Sequence, residues 1–370
     1  MELARFPIQR IALRLVEGID FTLLVIIVSL SMLGFAALFS ASYDTPSRVV
    51  SQFISLSIAL TAMWLTAQIA PQTLMRFAVP AYVIGVVLLV LVALFGDVVN
   101  GARRWLHVGV TRFQPSEMMK LALPLMLAWY FHRRESSLRL RDFALAALLL
   151  AVPLGLIVRQ PDLGTAALVG AVGFYVIFFA GISWKVLGGL AGLFVVALFP
   201  LWGMLHDYQR KRVLTLLDPS QDPLGAGYHI IQSTIAVGSG GISGKGWLNG
   251  TQSHLEFIPE RHTDFIFAVY SEEFGLIGNV VLLILYALLI GRGLVIAANA
   301  ATLFARLMAG AVTLMFFTYA FVNMGMVSGI LPVVGVPLPF LSYGGTALLT
   351  LFIGTGILMS VQRHRTLVQT

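Results

Sequence analysis

The sequence predicts an all-α polytopic membrane protein with ten transmembrane helices, both termini cytoplasmic, and a large outer loop between the seventh and eighth helices. Three observations carry that expectation. Apolar residues make up 58% of the 370, and mean hydropathy is +0.89. They gather into runs close to the roughly 20 residues that a helix needs to cross about 30 Å of hydrocarbon. Lys and Arg are divided unevenly between the segments that join the runs.

The first run, Phe21 to Ala41, is too long for a signal-peptide core and lacks a clean small-residue cleavage site, so it reads as a retained helix. The ten spans fall at approximately 20–42, 49–70, 77–96, 115–131, 142–158, 163–181, 184–206, 265–291, 303–330 and 343–361. An even number places both termini on one face. That face carries thirteen Lys and Arg: Arg5, Arg10, Arg14, Arg76, Arg133, Arg134, Arg139, Arg141, Lys185, Arg292, Arg306, Arg363 and Arg365. The short loops of the other face carry five, Arg48, Arg103, Arg104, Arg112 and Arg159. Basic residues are retained on the cytoplasmic side, so the termini are read as cytoplasmic and residues 207–264 as outward-facing. In that outer segment DYQRKRVLTLLDP and GAGYHIIQSTIAVG carry apolar residues at helical spacing, with turn signals between them. They predict two short amphipathic helices near the membrane surface. With no internal repeat or low-complexity stretch, residues 1–370 read as one membrane domain.

Composition narrows the chemistry. The absence of cysteine excludes disulfides, thiolate catalysis and thiolate metal sites. The net charge of +7 is scattered at the ends of apolar runs, which suits flanking anchors better than a nucleic-acid surface. The seven histidines contain no H-x-x-x-H pair, so zinc is unsupported. GSGGISGKG resembles a phosphate loop only superficially, since Ser239 stands where a glycine is required and Gly246 follows Lys245 in place of Ser or Thr.

Three short constellations break the pattern, all on the outer side. In GARRWLHVGVTRFQPSEMMK, residues 101–120, Arg103, Arg104 and Arg112 sit where the topology rule disfavours them, beside Trp105. A guanidinium fork matches phosphate oxygens, although anchors that snorkel to the interface would look the same. Glu117 and Lys120, three residues apart, share one helix face, as an ion pair facing the bundle interior, functional or structural. In RQPDLGT, residues 159–165, Pro161 forces a break, Gly164 lets the chain turn, and Asp162 is placed to cap the sixth span or to line the same cavity.

The third constellation is PERHTDFIFAVYSEEFG, residues 259–275, in which His262 and Asp264 lie just before the eighth span. A carboxylate at the outer interface is tuned upward by desolvation and downward by a nearby cation, as suits a proton acceptor; a helix cap is the competing role. Glu272 lies within about 80° of Asp264 on a helix and is expected in the same cavity, whereas Glu273 points away, toward another helix. The proline- and glycine-rich VSGILPVVGVPLPFLSYGG, residues 327–345, cannot be continuous helix. In a membrane such a segment must be buried in protein or line a cavity, so it is expected to form part of a cavity wall.

In the blocks RRWLHVGVTRFQPSEMMK, RQPDLGT, HDYQRKRVLTLLDPSQDPLGAGYHIIQS, GKGWLNGTQSHLEFIPERHTDFIFAVYSEE and GILPVVGVPLPFLSYGG, the chain closely resembles the SEDS (shape, elongation, division and sporulation) family. The resemblance extends from the first span to SYGGTALL in the tenth, and Arg261 and GKGWLNGTQS look more like the elongation branch than the division branch. It implies a peptidoglycan glycosyltransferase that polymerises lipid II on the outer face of the cytoplasmic membrane. The implied partners are a class B penicillin-binding protein that supplies the transpeptidase, other elongation-complex proteins and membrane lipids, with no nucleic acid. The implied catalytic residue is Asp264, as general base, and the implied substrate-binding residues are Arg104, Trp105, Arg112, Glu117, Lys120, Asp162 and His262. A divalent cation, Mg or Mn, could share the charge stabilisation given by Arg104, Arg112 or Lys120, although the sequence shows no carboxylate cluster for it. Two other readings stay open: a lipid II flippase, against which stand the clustering of polar groups at one face and the lack of an inverted repeat, and a non-catalytic scaffold for the penicillin-binding protein.

Overall fold

The computed structural model describes residues 18–365, apart from 44, 100–101, 109–110, 205–209, 211–213, 217, 223–224, 256 and 259. Twelve α-helices carry the architecture of the described residues. They are α1 (Phe21–Ala41), α2 (Pro46–Gln68), α3 (Pro71–Arg76), α4 (Ala78–Phe95), α5 (Pro115–Arg133), α6 (Leu140–Arg159), α7 (Leu163–Phe179), α8 (Trp184–Met204), α9 (Ala226–Ser239), α10 (Ile266–Ala298), α11 (Leu303–Val327) and α12 (Gly345–Arg363). Their starts are written in the sequence. Pro46, Pro71 and Pro115 occupy first turns, where a missing N–H costs nothing. The side chains of Asp20, Asp162 and Thr302 cap α1, α7 and α11 by accepting from Leu23 N, Thr165 N and Ala305 N at 2.9, 3.1 and 3.2 Å.

Seven of these helices, α1, α2, α4, α6, α10, α11 and α12, are long and apolar enough to cross a membrane. The other three expected spans coincide with α5, which carries Glu117 and Lys120, with the 17-residue α7, and with α8. α11 lies at the centre: Leu307, Met308, Val312, Met315, Phe316 and Tyr319 are buried, and it packs against α5, α7, α10 and α12. α12 in turn lies along α2, so closely that a Cβ on Gly356 would meet the Met63 carbonyl at 2.5 Å. At the periphery Phe53, Ile58, Leu94, Phe95 and Leu148 are exposed, as befits helices solvated by hydrocarbon.

Residues 97–113 correct the all-α expectation. β1 (Asp97–Val99), β2 (Ala102–Val108) and β3 (Thr111–Phe113) form an antiparallel sheet in the order β1-β2-β3, with Trp105 opposite Asp97 and Leu106 opposite Phe113. Pairing within this short meander satisfies the backbone locally, a signal too brief to be read from hydropathy. Of the two expected amphipathic helices, the second is α9, and most of the first, in DYQRKRVLTLLDP, lies outside the described residues.

α10 is broken once. Gly275 has φ 61° and ψ −157°, which interrupts the helical hydrogen-bond ladder inside an apolar helix. The loop GSGGISGKG repairs the break. Leu276 N donates to Gly241 O at 2.9 Å and Ile277 N to Ile242 O at 3.1 Å, while Lys245 N and Gly246 N donate to Glu272 O and Glu273 O at 3.0 Å each. The glycines make the approach possible: a Cβ on Gly244 would lie 2.0 Å from Glu273 O, and one on Gly275 would lie 2.3 Å from Gly244 N. The segment that mimics a phosphate loop in sequence is thus a backbone patch on a kinked helix. Gly275→Ala, which adds both a clash and a left-handed strain, is expected to destabilise the protein by roughly 2 kcal/mol or more. Thermal unfolding of the detergent-purified chain checks this, and an unchanged melting temperature would show that the patch does not hold the kink.

Candidate functional site

The end of the bundle at which α5 and α7 begin holds a polar cavity of about 220 Å³ bounded by β2, the start of α5, the start of α7 and residues 335–337. Asp162, which caps α7 through Oδ1, accepts from Gln114 Nε2 at 3.1 Å through Oδ2. Capping and cavity-lining therefore coexist in one carboxylate. Gly164 serves a purpose other than turning the chain: it lies inside α7, and a Cβ there would meet Val334 O at 2.5 Å, so it lets residues 334–336 press onto the helix start. The Arg104 guanidinium donates to the carbonyls of Gln160 and Pro161 at 3.4 and 2.5 Å and stands 3.9 Å from Asp162. A third of its side chain remains exposed beside Trp105 at the cavity mouth.

Deeper in the cavity, Lys120 Nζ donates to Glu117 Oε1 at 2.5 Å and to the Tyr319 hydroxyl of α11. With 1% and 9% of their side chains exposed, Lys120 and Glu117 form a buried pair whose charges are balanced by each other. Glu117 and Thr346 are shared with a second cavity of about 380 Å³, an apolar groove that descends past Leu121, Leu125 and Ile353 to Ile69, Leu74 and Ile357. The polar chamber thus adjoins, at Glu117 and Thr346, an apolar groove that runs along α5 and α12.

Asp264 approaches the polar chamber from the other side of residues 335–337. A Cβ on Gly335 would come within 3.2 Å of Asp264 Oδ2, and Gly335 itself lines the chamber. Three successive carbonyls hold this segment in place. His262 O accepts from Tyr343 N at 2.9 Å, Thr263 O from Ser342 Oγ at 2.7 Å, and Asp264 O from Asn323 Nδ2 at 2.8 Å, the Asn323 amide also donating to Val336 O at 2.7 Å. The carboxylate itself makes no hydrogen bond or ion pair among the described residues, and the N-cap position of α10 belongs to Phe265, so Asp264 is not a cap. Burial, reinforced by the negative charge of Glu260, raises its pKa to about 6.

The remaining sequence candidates are placed differently. His262 faces Arg48, 3.5 Å from its Nδ1, and the ring of Tyr343, outside the lining of the polar chamber. Arg112 is paired with His107 across β2 and β3, and its side chain lies outside the described residues. Glu272 corrects the expectation that it shares a cavity with Asp264. The loop before α10 folds over it, and it accepts from Lys245 Nζ at 2.6 Å, Thr251 Oγ1 at 3.1 Å and Gln252 N at 3.0 Å. Glu273 accepts from Ser40 on the neighbouring α1. Sequence reasoning missed Gln114, Tyr319, Asn323 and Ser342; a lone Asn within the apolar run of α11 was the one signal that could have exposed the clamp. No three His, Asp or Glu side chains converge among the described residues.

Residues 11–367 match the model of the FtsW/RodA/SpoVE family, described as cell cycle proteins. The chain is 52% identical over 349 residues to the peptidoglycan glycosyltransferase MrdB of Escherichia coli K12, covering 94% of each. It is 32% identical to the peptidoglycan glycosyltransferase RodA of Treponema pallidum, covering 95% of this chain and 99% of that one. Among solved structures, a peptidoglycan synthase complex that coordinates polymerization and crosslinking contains a chain with TM-score 0.82 and 38% identity, covering 94% of this chain and 98% of that one. The crystal structure of the rod shape determining protein RodA of Thermus thermophilus has TM-score 0.72 and 33% identity, covering 94% and 97%.

Removing one member of a buried ion pair leaves the other charge uncompensated, at a cost of about 3–5 kcal/mol. Lys120→Met is expected to lower the melting temperature of the detergent-purified chain strongly, and Glu117→Gln added to it to recover part of the loss. A single Lys120 variant as stable as the parent would sink the reading of a buried, charged pair.

Proposed function

Since the chain belongs to the FtsW/RodA/SpoVE family of cell cycle proteins and is a peptidoglycan glycosyltransferase, we propose that it polymerises lipid II with Asp264 as general base. The observation that carries this assignment is a half-buried carboxylate without a partner, held by three backbone tethers against the wall of a chamber that continues into an apolar groove. The polar chamber takes the diphosphate and sugar of a lipid-linked substrate, and the groove takes its polyprenyl chain. Asp264 accepts the proton of the attacking sugar hydroxyl as that oxygen bonds to the anomeric carbon of the second substrate. The anomeric carbon–oxygen bond breaks with inversion, and its electron pair leaves on the polyprenyl diphosphate. Arg104 at the mouth and Lys120 deeper in the chamber face the charge that develops on that leaving group, so stabilising it requires no acid. A base whose pKa lies near the working pH is suited to this transfer.

The same reading places ten spans in the cytoplasmic membrane, both termini inside, and Asp264 on the periplasmic or exterior face, supported by the Lys and Arg distribution. It pairs the chain with a class B penicillin-binding protein, supported by the synthase complex that coordinates polymerization with crosslinking. A flippase would need a polar path through the bundle, whereas the groove below Glu117 is lined mainly by Leu, Ile, Ala and Met.

With the cognate partner and lipid II, Asp264→Asn is expected to abolish glycan-chain formation. It should not lower the melting temperature at pH 8, because a raised carboxyl pKa means that ionised Asp264 opposes folding above about pH 6. An Asn variant that polymerises normally would remove Asp264 from the mechanism. Lipid II crossing liposomes without glycan formation by the parent protein would favour the flippase.

Asp264 must be ionised to accept a proton, so the rate should fall as pH drops through about 6. Glu260→Gln removes the negative neighbour and should shift that acid limb to lower pH. An acid limb that stays put in the Glu260 variant would assign it to another group.

A further inference from the structure

At the end of the bundle opposite Asp264, a cavity of about 390 Å³ opens between the start of α1, the far end of α10 and the last turn of α12. Arg292, Arg363 and Arg365 line it, and among the described residues Asp20 is its single carboxylate. Asp20 is already committed twice: Oδ1 accepts from Leu23 N at 2.9 Å as the cap of α1, and the carboxylate takes an ion pair from Arg292, whose Nε stands 3.3 Å from Oδ1. With its amide oxygen turned to the guanidiniums, Gln362 accepts from Arg292 Nη2 and Arg365 Nη1 at 3.1 Å each, so these two nitrogens are no more than about 6 Å apart. Arg363 donates to the neutral amide of Gln68. Among the described residues, three cations therefore converge on one carboxylate and two neutral amides, and a surplus of positive charge is left facing a cavity large enough for a headgroup.

Retention of basic residues on the cytoplasmic side accounts for arginines at this end of the bundle. It does not account for three of them entering one cavity, two on a single amide oxygen, where like charges repel. An anion with several acceptor oxygens relieves that repulsion, and the guanidinium fork fits phosphate oxygens in particular. The cavity lies at the ends of membrane-spanning helices, where basic pockets between helices meet anionic lipid headgroups. We propose that it is a phosphate-binding site for the headgroup of an anionic phospholipid, with Arg292, Arg363 and Arg365 as donors. The site is separate from the chamber at Asp264 and stands whether or not the catalytic reading holds.

The test uses the full chain with its transpeptidase partner in neutral detergent, titrated with short-chain phosphatidylglycerol, phosphatidylcholine of equal chain length, or inorganic phosphate, with melting temperature as readout. Phosphatidylglycerol should raise the melting temperature saturably, and phosphatidylcholine should not. Arg363→Gln with Arg365→Gln should weaken the apparent affinity roughly thirtyfold, whereas Arg133→Gln with Arg141→Gln, which removes two exposed charges elsewhere on the same face, should not. Should the Gln pair fail to fold, Arg363→Lys with Arg365→Lys keeps the charge, and a partial loss of affinity supports the fork. Inorganic phosphate acting as strongly as the lipid would keep the phosphate chemistry and overturn the lipid as its source. Equal loss in the two Gln pairs, or no saturable response, overturns the site.

Discussion

Everything around Asp264 depends on one constraint: backbone N–H and C=O groups that leave a helix inside a membrane must be satisfied by the protein itself. The chain leaves helical geometry in two places that matter, the segment 328–344 and the approach to α10. Each supplies what the other lacks. Ser342, Tyr343 and the Asn323 amide take the carbonyls of residues 262–264, and the same Asn323 ties them to Val336. A carboxylate that has no partner among the described residues is tolerable at residue 264 because the carbonyls of residues 262–264 are all taken.

The distribution of charge follows the same economy. Lys120 and Glu117 neutralise one another in the interior, and Asp162 divides its two oxygens between a helix cap and Gln114. Arg104 is half spent on the carbonyls before α7. These groups form a preorganised polar wall with little net charge, against which a substrate's own negative charge would be the largest local field. Asp264 differs from all of them in being engaged through its backbone alone, which is how a proton acceptor keeps its lone pairs available.

The helices were legible because crossing hydrocarbon demands long apolar runs, and the start of α7 because Asp162 stands where a helix cap does. The site was legible in part. Arg104, Trp105, Glu117, Lys120 and Asp162, chosen as polar residues out of place, line one chamber. The β-meander escaped because three- and seven-residue strands leave no periodic trace among apolar helices. Glu272 was misplaced because helical phase fixes only the direction of a side chain, whereas the loop carrying Lys245 and Thr251 decides what meets it there. The clamp on Asp264 escaped for a related reason: Asn323 and Ser342 are distant in sequence, and their acceptors are carbonyls, which sequence does not distinguish.

The patch at Gly275 has a mechanical meaning. Four backbone hydrogen bonds join the outer loop to α10, two on each side of the kink, and separating them would strand amide and carbonyl groups in a poorly hydrated place at several kcal/mol each. Loop and helix therefore behave as one lever. A load applied to residues 240–246 is carried by covalent and hydrogen-bonded backbone into the first turns of α10, eleven residues after Asp264, rather than dissipated in a slack surface loop.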